Sequence, residues 1–321
     1  MASPPRITIL GSLNIDLVAR VPHHPLPGET LTASSFSVSP GGKGANQAVA
    51  CAKLSRSAPP STSAPSASVA MVGAVGSDSY GALLRDNLVR YGVDVEGVRV
   101  RAGEKTGIAI IVVDEPTGEN RIVLSGEANH EVTAEGVGLE GVLSRTDLLI
   151  MQLEVPVETV LKALEGARER GVEMLFNPAP ARVLPEGWLR GLGHLVVNET
   201  EAALLGGVEV EVLDEEEGCE SVARGFVEGG AKNVIITLGG RGVYYMGEGK
   251  KGLVPAEKAK VVDTTAAGDT FVGQYALEVV KTEKGGVFDI EGAVRKANRA
   301  AARTVERKGA QDSIPWRDEL L

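Results

Sequence analysis

Two aspartates, Asp263 and Asp269, bracket the stretch "TTAAG", in which no side chain is larger than threonine. The residues that follow, "TFVGQYALEVV", place Phe271, Val272, Tyr275, Ala276, Val279 and Val280 on a wide helical stripe that starts directly after Asp269. Residues 266–269 are therefore predicted to be a helix N-terminus. Free backbone N–H groups and the positive end of the helix dipole attract an anion there, and small side chains let a phosphate reach them. A carboxylate in that place suits a base that takes the proton from a hydroxyl attacking a phosphoryl group. A plain helix cap is the competing reading of Asp269.

Other polar residues fall where apolar runs end. Glu154 follows "LLIMQL", Asn177 follows "EMLF", Asn198 follows "HLVV", and Gly239 to Gly242 follow "NVIITL". Any one of these suits a turn or a cap, but four successive strand ends favour a crevice, because ligands of open α/β sheets bind beyond the carboxyl ends of the strands. In "NETEA", Asn198 and Glu201 are three apart and share one side of a first helical turn, which suits a hydrated Mg²⁺ with phosphate oxygens or, alternatively, a capping box. In "PGGKGANQAVACA" (40–52), Gly41, Gly42 and Gly44 permit close backbone approach, and a small polar substrate could be held there with help from Asn46. This is not a Walker A loop, which would need glycine at Ser37 and Ser or Thr at Gly44. "GEGKKG" (247–252) fits GxGxxG but lies between "VYYM" and "LVPA" with no helix after it, and reads as a hairpin turn.

The elements that must position these residues follow from periodicity. From Val69 onward, short apolar runs ("VAMVGAV", "DLLIMQL", "VEMLF", "HLVV", "NVIITL") alternate with helical segments such as "GALLRDNLVRYG" and "ETVLKALEGARERG". That pattern predicts an α/β fold: a doubly wound, mostly parallel central sheet with helices on both faces. Two extended regions, 7–21 and 107–126, break the rhythm, the second as a hairpin turning at "DEPTGEN". They predict a small separate β-sheet, a flap over the core, with antiparallel edge strands of the main sheet as the alternative. A final helix near 290–309 carries Ile290, Ala293, Ala297, Ala301 and Val305 on one narrow face. The Ser/Pro/Ala-rich segment 55–68 has no apolar period and reads as a mobile surface loop without chemistry.

Composition excludes several function classes. The chain has 321 residues, 43% hydrophobic and 24% charged, enough for a substantial core. Acidic residues outnumber basic ones 43 to 33 and no basic run exceeds a pair, unlike a nucleic-acid binder. Cys51 and Cys219 lack metal or redox spacing and read as buried thiols of a reducing compartment. No signal-like or membrane-spanning run is found, so the cytoplasm is expected, with a nuclear share open.

The motifs "GSLNID", "PLPGET", "GGKGANQA", "MQLE", "NPAPA", "NETEA", "TLGGRG", "DTTAAGDTF" and "RKGAQDSIPW" occur along nearly the whole chain. In order and spacing the chain resembles the ribokinase group of PfkB carbohydrate kinases. The resemblance implies one ribokinase-like α/β domain over 1–321, with a β-lid built from about 13–40 and 103–125, and transfer of the ATP γ-phosphate to the 5-hydroxyl of D-ribose. It implies Asp269 as catalytic base, the amides of Ala266, Ala267 and Gly268 as anion hole, and sugar contacts from Asn14, Asp16, Gly42, Lys43, Asn46 and Glu154. Asn198 and Glu201 match the phosphate and Mg²⁺ region, and Thr237, Gly239, Gly242 and Asn298 the nucleotide site. A monovalent cation, usually K⁺, would be held by oxygens at Asp263, Thr265, Thr304, Arg307, Gly309 and Ser313. A homodimer clasped through the lid is also implied. Ala266 stands where the superfamily more often has glycine, which matters only if its φ is positive. Alternatives are a kinase of another sugar or nucleoside (deoxyribose, fructose, pseudouridine) and a sugar sensor without catalysis.

Overall fold

In the computed structural model, which describes residues 3–61, 63–282 and 285–320, the central element is β1 (Arg6–Leu10). Its Ile7 and Ile9 enter one hydrophobic core while Leu10 enters the other. A strand buried on both faces is what a parallel sheet between two helical layers requires. β1 lies between β4 (Ser68–Gly76) and β8 (Leu148–Met151), parallel to both. β5 (Asp94–Arg101) extends the sheet beyond β4. Beyond β8 come β9 (Glu173–Phe176), β10 (His194–Asn198) and β11 (Asn233–Thr237), all parallel. The antiparallel hairpin of β12 (Val243–Gly247) and β13 (Lys250–Val254) closes that edge. The "GEGKKG" stretch forms its turn, as expected from the lack of a following helix.

Helices cover both faces of this nine-stranded sheet. One layer contains α1 (Lys43–Leu54), α2 (Ser79–Arg90), α7 (Ala267–Lys281) and α8 (Ile290–Thr304), whose buried Val49, Leu88, Phe271, Tyr275 and Ala297 share a core with Ile7, Ile9 and Ile150. The opposite layer contains α3 (Leu139–Leu143), α4 (Val157–Arg170), α5 (Glu199–Gly206) and α6 (Glu216–Glu228), packed on Leu149, Met151 and Phe176. α4 stops at Gly171, which takes the left-handed conformation at φ 65°, after a last turn carrying Arg168 and Arg170.

The second sheet has the order β3-β2-β6-β7, formed by β2 (Asn14–Val21), β3 (Ser35–Gly41), β6 (Gly107–Asp114) and β7 (Asn120–Ser125). The expected hairpin is β6–β7, and neither strand joins the main sheet as an edge. One expectation needs correction: 7–21 is not a single lid element. Its first half is the middle of the main sheet and only Asn14–Val21 enters the lid, with Gly11, Ser12 and Leu13 between. The physical divide is legible afterwards, because 7–10 is apolar throughout whereas polar Asn14 and Asp16 begin an alternation.

The described part of the Ser/Pro-rich segment has partners outside itself. Arg317 donates to the Ser55 carbonyl and to the hydroxyls of Ser57 and Ser63, and the Ala58 N–H donates to Asp318. These bonds tether the loop to the 316–320 segment. α8 packs on α7, and its Ala293 and Ala297 are buried in the core, as the small-residue face of its sequence predicts.

Candidate active site

The order of the main sheet reverses at β1: the chain builds β4 and β5 on one side and β8 to β13 on the other. Loops at the carboxyl ends of β1 and β8 therefore diverge and leave a crevice between them. Ser12, just past β1, donates to Glu154, just past β8, across that gap at 2.5 Å. Glu154 also accepts from the Lys43 N–H at 3.0 Å and from the Asn14 side chain at 3.4 Å. Asn14 is fixed in turn by Asn129, whose side-chain amide donates to Asn14 Oδ1 and to the Leu13 carbonyl and accepts from the Leu13 N–H.

Asp16 sits at the roof of this crevice, on the lid strand β2, and is 7% exposed. Among the described residues nothing donates a hydrogen bond to its carboxylate. Burial, reinforced by the charges of Glu154 and Asp269, pushes its pKa up to about 7. A buried acceptor without donors is suited to ligand hydroxyls. The backbone nearby is glycine because nothing else fits: a Cβ on Gly41 would lie 2.2 Å from the Asp16 carboxylate, and one on Gly107 would lie 2.3 Å from Asn14 Oδ1. Gly42 combines φ 86° with a position at which a Cβ would lie 2.7 Å from the Asn14 backbone nitrogen.

On the floor, Asp269 is in the first turn of α7 and 8% exposed. Its two oxygens are met separately, Oδ2 by the Asn46 amide and Oδ1 by the Gln47 amide, each at 3.0 Å. Around it the first turn offers donors. The Thr270 N–H bonds to the Ala266 carbonyl and that of Ala267 to Thr264, whereas those of Gly268 and Asp269 take no partner among the described residues. A Cβ on Gly268 would meet nothing within 4 Å, so the approach is open. Ala266 has φ 60°, the left-handed region that favours glycine, so the residue that departs from the superfamily is the one under backbone strain.

Lys43 stands in the combined field of Asp269, Glu154 and Glu201. Burial works against its charge, but those three carboxylates outweigh burial and hold its pKa above the ordinary lysine value. None of them lies within ion-pair distance of its ammonium among the described residues, which leaves the group open to an anion. Asn198 and Glu201 form a full capping box on α5: Asn198 Oδ1 accepts from the Glu201 N–H at 2.8 Å and Glu201 Oε2 from the Asn198 N–H at 2.9 Å. The capping alternative is thus the observed one for these groups, yet Glu201 Oε1 accepts nothing and its buried carboxyl is raised in pKa by desolvation.

The remaining expected residues have local contacts of their own. Thr237 ends β11, and Gly239 (φ 54°) and Gly242 (φ 111°) frame the short 3₁₀ turn after it. Asn298 on α8 donates to the Pro255 carbonyl at 2.8 Å. Asp263 accepts from the N–H and hydroxyl of Thr265 and, at 3.0 Å, from the Gly309 N–H, which ties the 263–265 turn to the 307–313 segment. Burial pushes its carboxyl up, but these bonds prevail and hold it below the usual range. Two side chains expected there point elsewhere. The Thr304 hydroxyl bonds Thr270 and its own helix, and the Arg307 guanidinium pairs with Glu319. Among the described residues no three His, Cys, Asp or Glu side chains are grouped to hold a metal ion.

Sequence reasoning missed Ser12, Gln47, Asn129, Gln152 and Gln311, all of which bond directly to site residues or their supports. Gln152 carried a readable signal, a carboxamide inside the apolar run "LLIMQL". Gln47 was masked by its neighbour Asn46.

A buried carboxylate beside free helix N-terminal amides, under a β-lid and at the switch point of a doubly wound sheet, defines a phosphotransferase acting on a small hydroxyl-bearing substrate. Comparison makes the class specific. The profile of pfkB family carbohydrate kinases matches residues 5–317. The chain is 42% identical to ribokinase of Schizosaccharomyces pombe over 314 residues, covering 96% of this chain and 94% of that one. It is 39% identical to ribokinase of Haemophilus influenzae over 316 residues, covering 98% and 97%. The structure of Arabidopsis thaliana ribokinase complexed with ribose and ATP superimposes with a TM-score of 0.84 at 29% identity, covering 99% and 98%. The chain belongs to the pfkB family of carbohydrate kinases and is a phosphotransferase with an alcohol group as acceptor.

Ala266 offers a direct check on the strain in the anion-binding turn. An L-residue in the left-handed region costs about 1–2 kcal/mol, and glycine returns roughly 0.5–1 kcal/mol of that as chain entropy. Ala266→Gly is expected to raise stability by about 0.5–1 kcal/mol in urea unfolding. A lower midpoint would show that the methyl group contributes packing that outweighs the strain.

Proposed function

We propose that this chain transfers the γ-phosphoryl group of ATP to O5 of D-ribose, giving ribose 5-phosphate and ADP, with Asp269 as the base. The observation that carries the reading is the juxtaposition of the doubly bonded Asp269 carboxylate with the open Gly268 and Asp269 amides and the polar cage of Asn14, Asp16, Asn46 and Glu154. The cage lacks a large aromatic surface and offers acceptors, which suits a sugar with several hydroxyls rather than a nucleoside. In this reading Asn14, Asp16, Gly42, Lys43, Asn46 and Glu154 hold the sugar with its 5-hydroxyl at Asp269. The carboxylate takes the hydroxyl proton as the oxygen attacks the γ-phosphorus. The amides of Ala266, Gly268 and Asp269, free among the described residues, and the Lys43 ammonium stabilise the charge that develops on the phosphoryl oxygens, whereas the Ala267 N–H, which the resemblance also implies, is taken up by the Thr264 carbonyl. Thr237, Gly239, Gly242 and Asn298 line the nucleotide, and Asn198 braces Glu201 towards the phosphates.

Two cations belong to this proposal. The partnerless Glu201 Oε1 fits a hydrated Mg²⁺, which supplies charge neutralisation between the phosphates when bound. The carbonyls of Asp263, Thr265, Arg307 and Gly309 accept no hydrogen bond among the described residues, and the Ser313 hydroxyl uses only its proton, on Ala310. That oxygen-rich set fits K⁺ better than a small divalent ion. The Thr304 and Arg307 side chains are not part of it.

The lid also supports a homodimer. Val38, Leu17, Ile110 and Val123 stand in one row across its four strands, on the face opposite Asp16, and Val38, Ile110 and Val123 are 44%, 50% and 65% exposed. Together with Phe36 they form an apolar patch of the kind that meets a second copy. No helix among the described residues is long and apolar enough to cross a membrane, and the cytoplasm, with a nuclear share, is the compartment proposed.

Three outcomes are expected. Asp269→Asn should keep ribose and ATP binding while turnover falls roughly 10²- to 10⁴-fold, measured by ADP release; turnover near that of the parent would remove Asp269 from the role of base. Because Asp16 ionises near pH 7 and serves as a carboxylate acceptor, kcat/KM for ribose should rise with pH through about 7 and then level, with Asp16→Asn losing that limb. An unchanged profile in the variant would assign the limb elsewhere. Ile110→Glu with Val123→Glu should give monomers by light scattering, whereas an intact dimer would place the interface outside the lid.

A further inference from the structure

Asp269 is the meeting point of two buried chains of carboxamides. On one side Asn87, on α2, donates to Gln311 Oε1 at 2.6 Å, Gln311 donates to Asn46 Oδ1 at 3.0 Å, and Asn46 donates to Asp269. On the other side Gln152 donates to Gln47 Oε1 at 2.5 Å, and Gln47 donates to Asp269 and, at 3.1 Å, to Asn177 Oδ1. Gln47 and Gln152 are 0% exposed and Gln311 is 3% exposed.

The polarity of both chains is imposed by their end. An ionised carboxylate accepts only, so the NH₂ groups of Asn46 and Gln47 must face it, and their oxygens must face away. Those oxygens are buried and require donors of their own, which are the NH₂ groups of Gln311 and Gln152. Each amide thus has one orientation, and polarisation along the chain strengthens the two terminal bonds to Asp269. Gln311 is itself anchored. Its carbonyl accepts from the buried Lys53 ammonium at 3.2 Å, which lies 5.3 Å from the Tyr91 ring and 5.4 Å from the Trp316 ring. The neighbouring Asp312 accepts from the Tyr91 hydroxyl at 3.0 Å.

We propose that Gln47 and Gln311 are positioning residues of the phosphoryl transfer: they fix the plane of the Asp269 carboxylate from opposite sides, Gln47 directly and Gln311 through Asn46. Neither reaches the substrate. The inference rests on Asp269 being the base. It assigns a function to the 310–316 segment, which delivers Gln311 from outside the crevice, and distinguishes that function from any cation bound nearby.

The test compares Gln47→Met and Gln311→Met, which keep length and volume but remove the donors, with Asp269→Asn and the parent. Gln47→Met is expected to lose about 10- to 100-fold in kcat, in the range seen when a supporting hydrogen bond to an active-site group is removed. Its KM values for ribose and ATP should stay within a few-fold of the parent. Gln311→Met should lose kcat similarly and also raise KM for ribose, because Asn46 faces the sugar. Thermal unfolding and binding of ATP, followed by calorimetry, establish the folded fraction of each variant. If kcat falls only as far as the folded fraction does, or stays at the parental value while Asp269→Asn is inactive, the positioning role is overturned and the base is retained. If Asp269→Asn itself turns over normally, the reading of the base fails first.

Discussion

Crowding of negative charge governs this crevice. Among the described residues, Glu154, Glu201 and Asp269 stand in the field of one lysine, Lys43, and Asp16 in the field of Glu154 and Asp269. Removing carboxylates from water is costly unless hydrogen bonds or opposite charges replace the lost solvent. The structure meets that cost differently for each. Asp269 has two amides, Glu154 has Ser12, Asn14 and the Lys43 N–H, and Glu201 is bonded into its own helix start. Asp16 has no donor among the described residues, and burial with the neighbouring charges pushes its pKa up to about 7, while desolvation also raises Glu201. A Cβ on Gly41 would enter the Asp16 carboxylate, and those on Gly42 and Gly107 would collide with the backbone around Asn14 and with the Asn14 and Asn129 side chains, so glycine at these positions follows from how closely the lid strands pack at the site.

Much of this was legible in the sequence because the signals were local. Periodic apolar runs identify the main strands, a stripe beginning after Asp269 identifies the start of α7, and polar residues at strand ends identify the crevice. The failures have a common physical origin. Residues 7–21 form two strands in different sheets, and the divide lies in three residues, Gly11, Ser12 and Leu13, whose role depends on partners more than a hundred positions away. Gln47, Gln152 and Gln311 come from distant segments, so the amide chains exist only in the folded molecule. Asn198 and Glu201 are indeed together, but the spacing alone does not separate a capping box from a ligand pair; the capping box is formed and uses only one carboxyl oxygen of Glu201.

The Ser/Pro-rich loop has contacts that its composition does not announce. Arg317 and Asp318 bond it at several points, and the same stretch of chain presents Trp316 to Lys53. These partners lie some 260 positions away, so no local pattern in 55–68 could have named them.

The join between the two sheets has a mechanical meaning. β1 is locked in the middle of the main sheet, β2 belongs to the lid, and the residue between them that leads into β2, Leu13, has both its N–H and its carbonyl clasped by Asn129. Asn129 also holds Asn14, and Asp16 follows two residues later on the same strand. The lid therefore joins the main sheet through a clamp rather than a slack tether. If Asn14 and Asp16 hold the sugar as proposed, a sugar bonded to them is bonded to the lid strand itself, and recognition then acts on the lid directly through the backbone of β2.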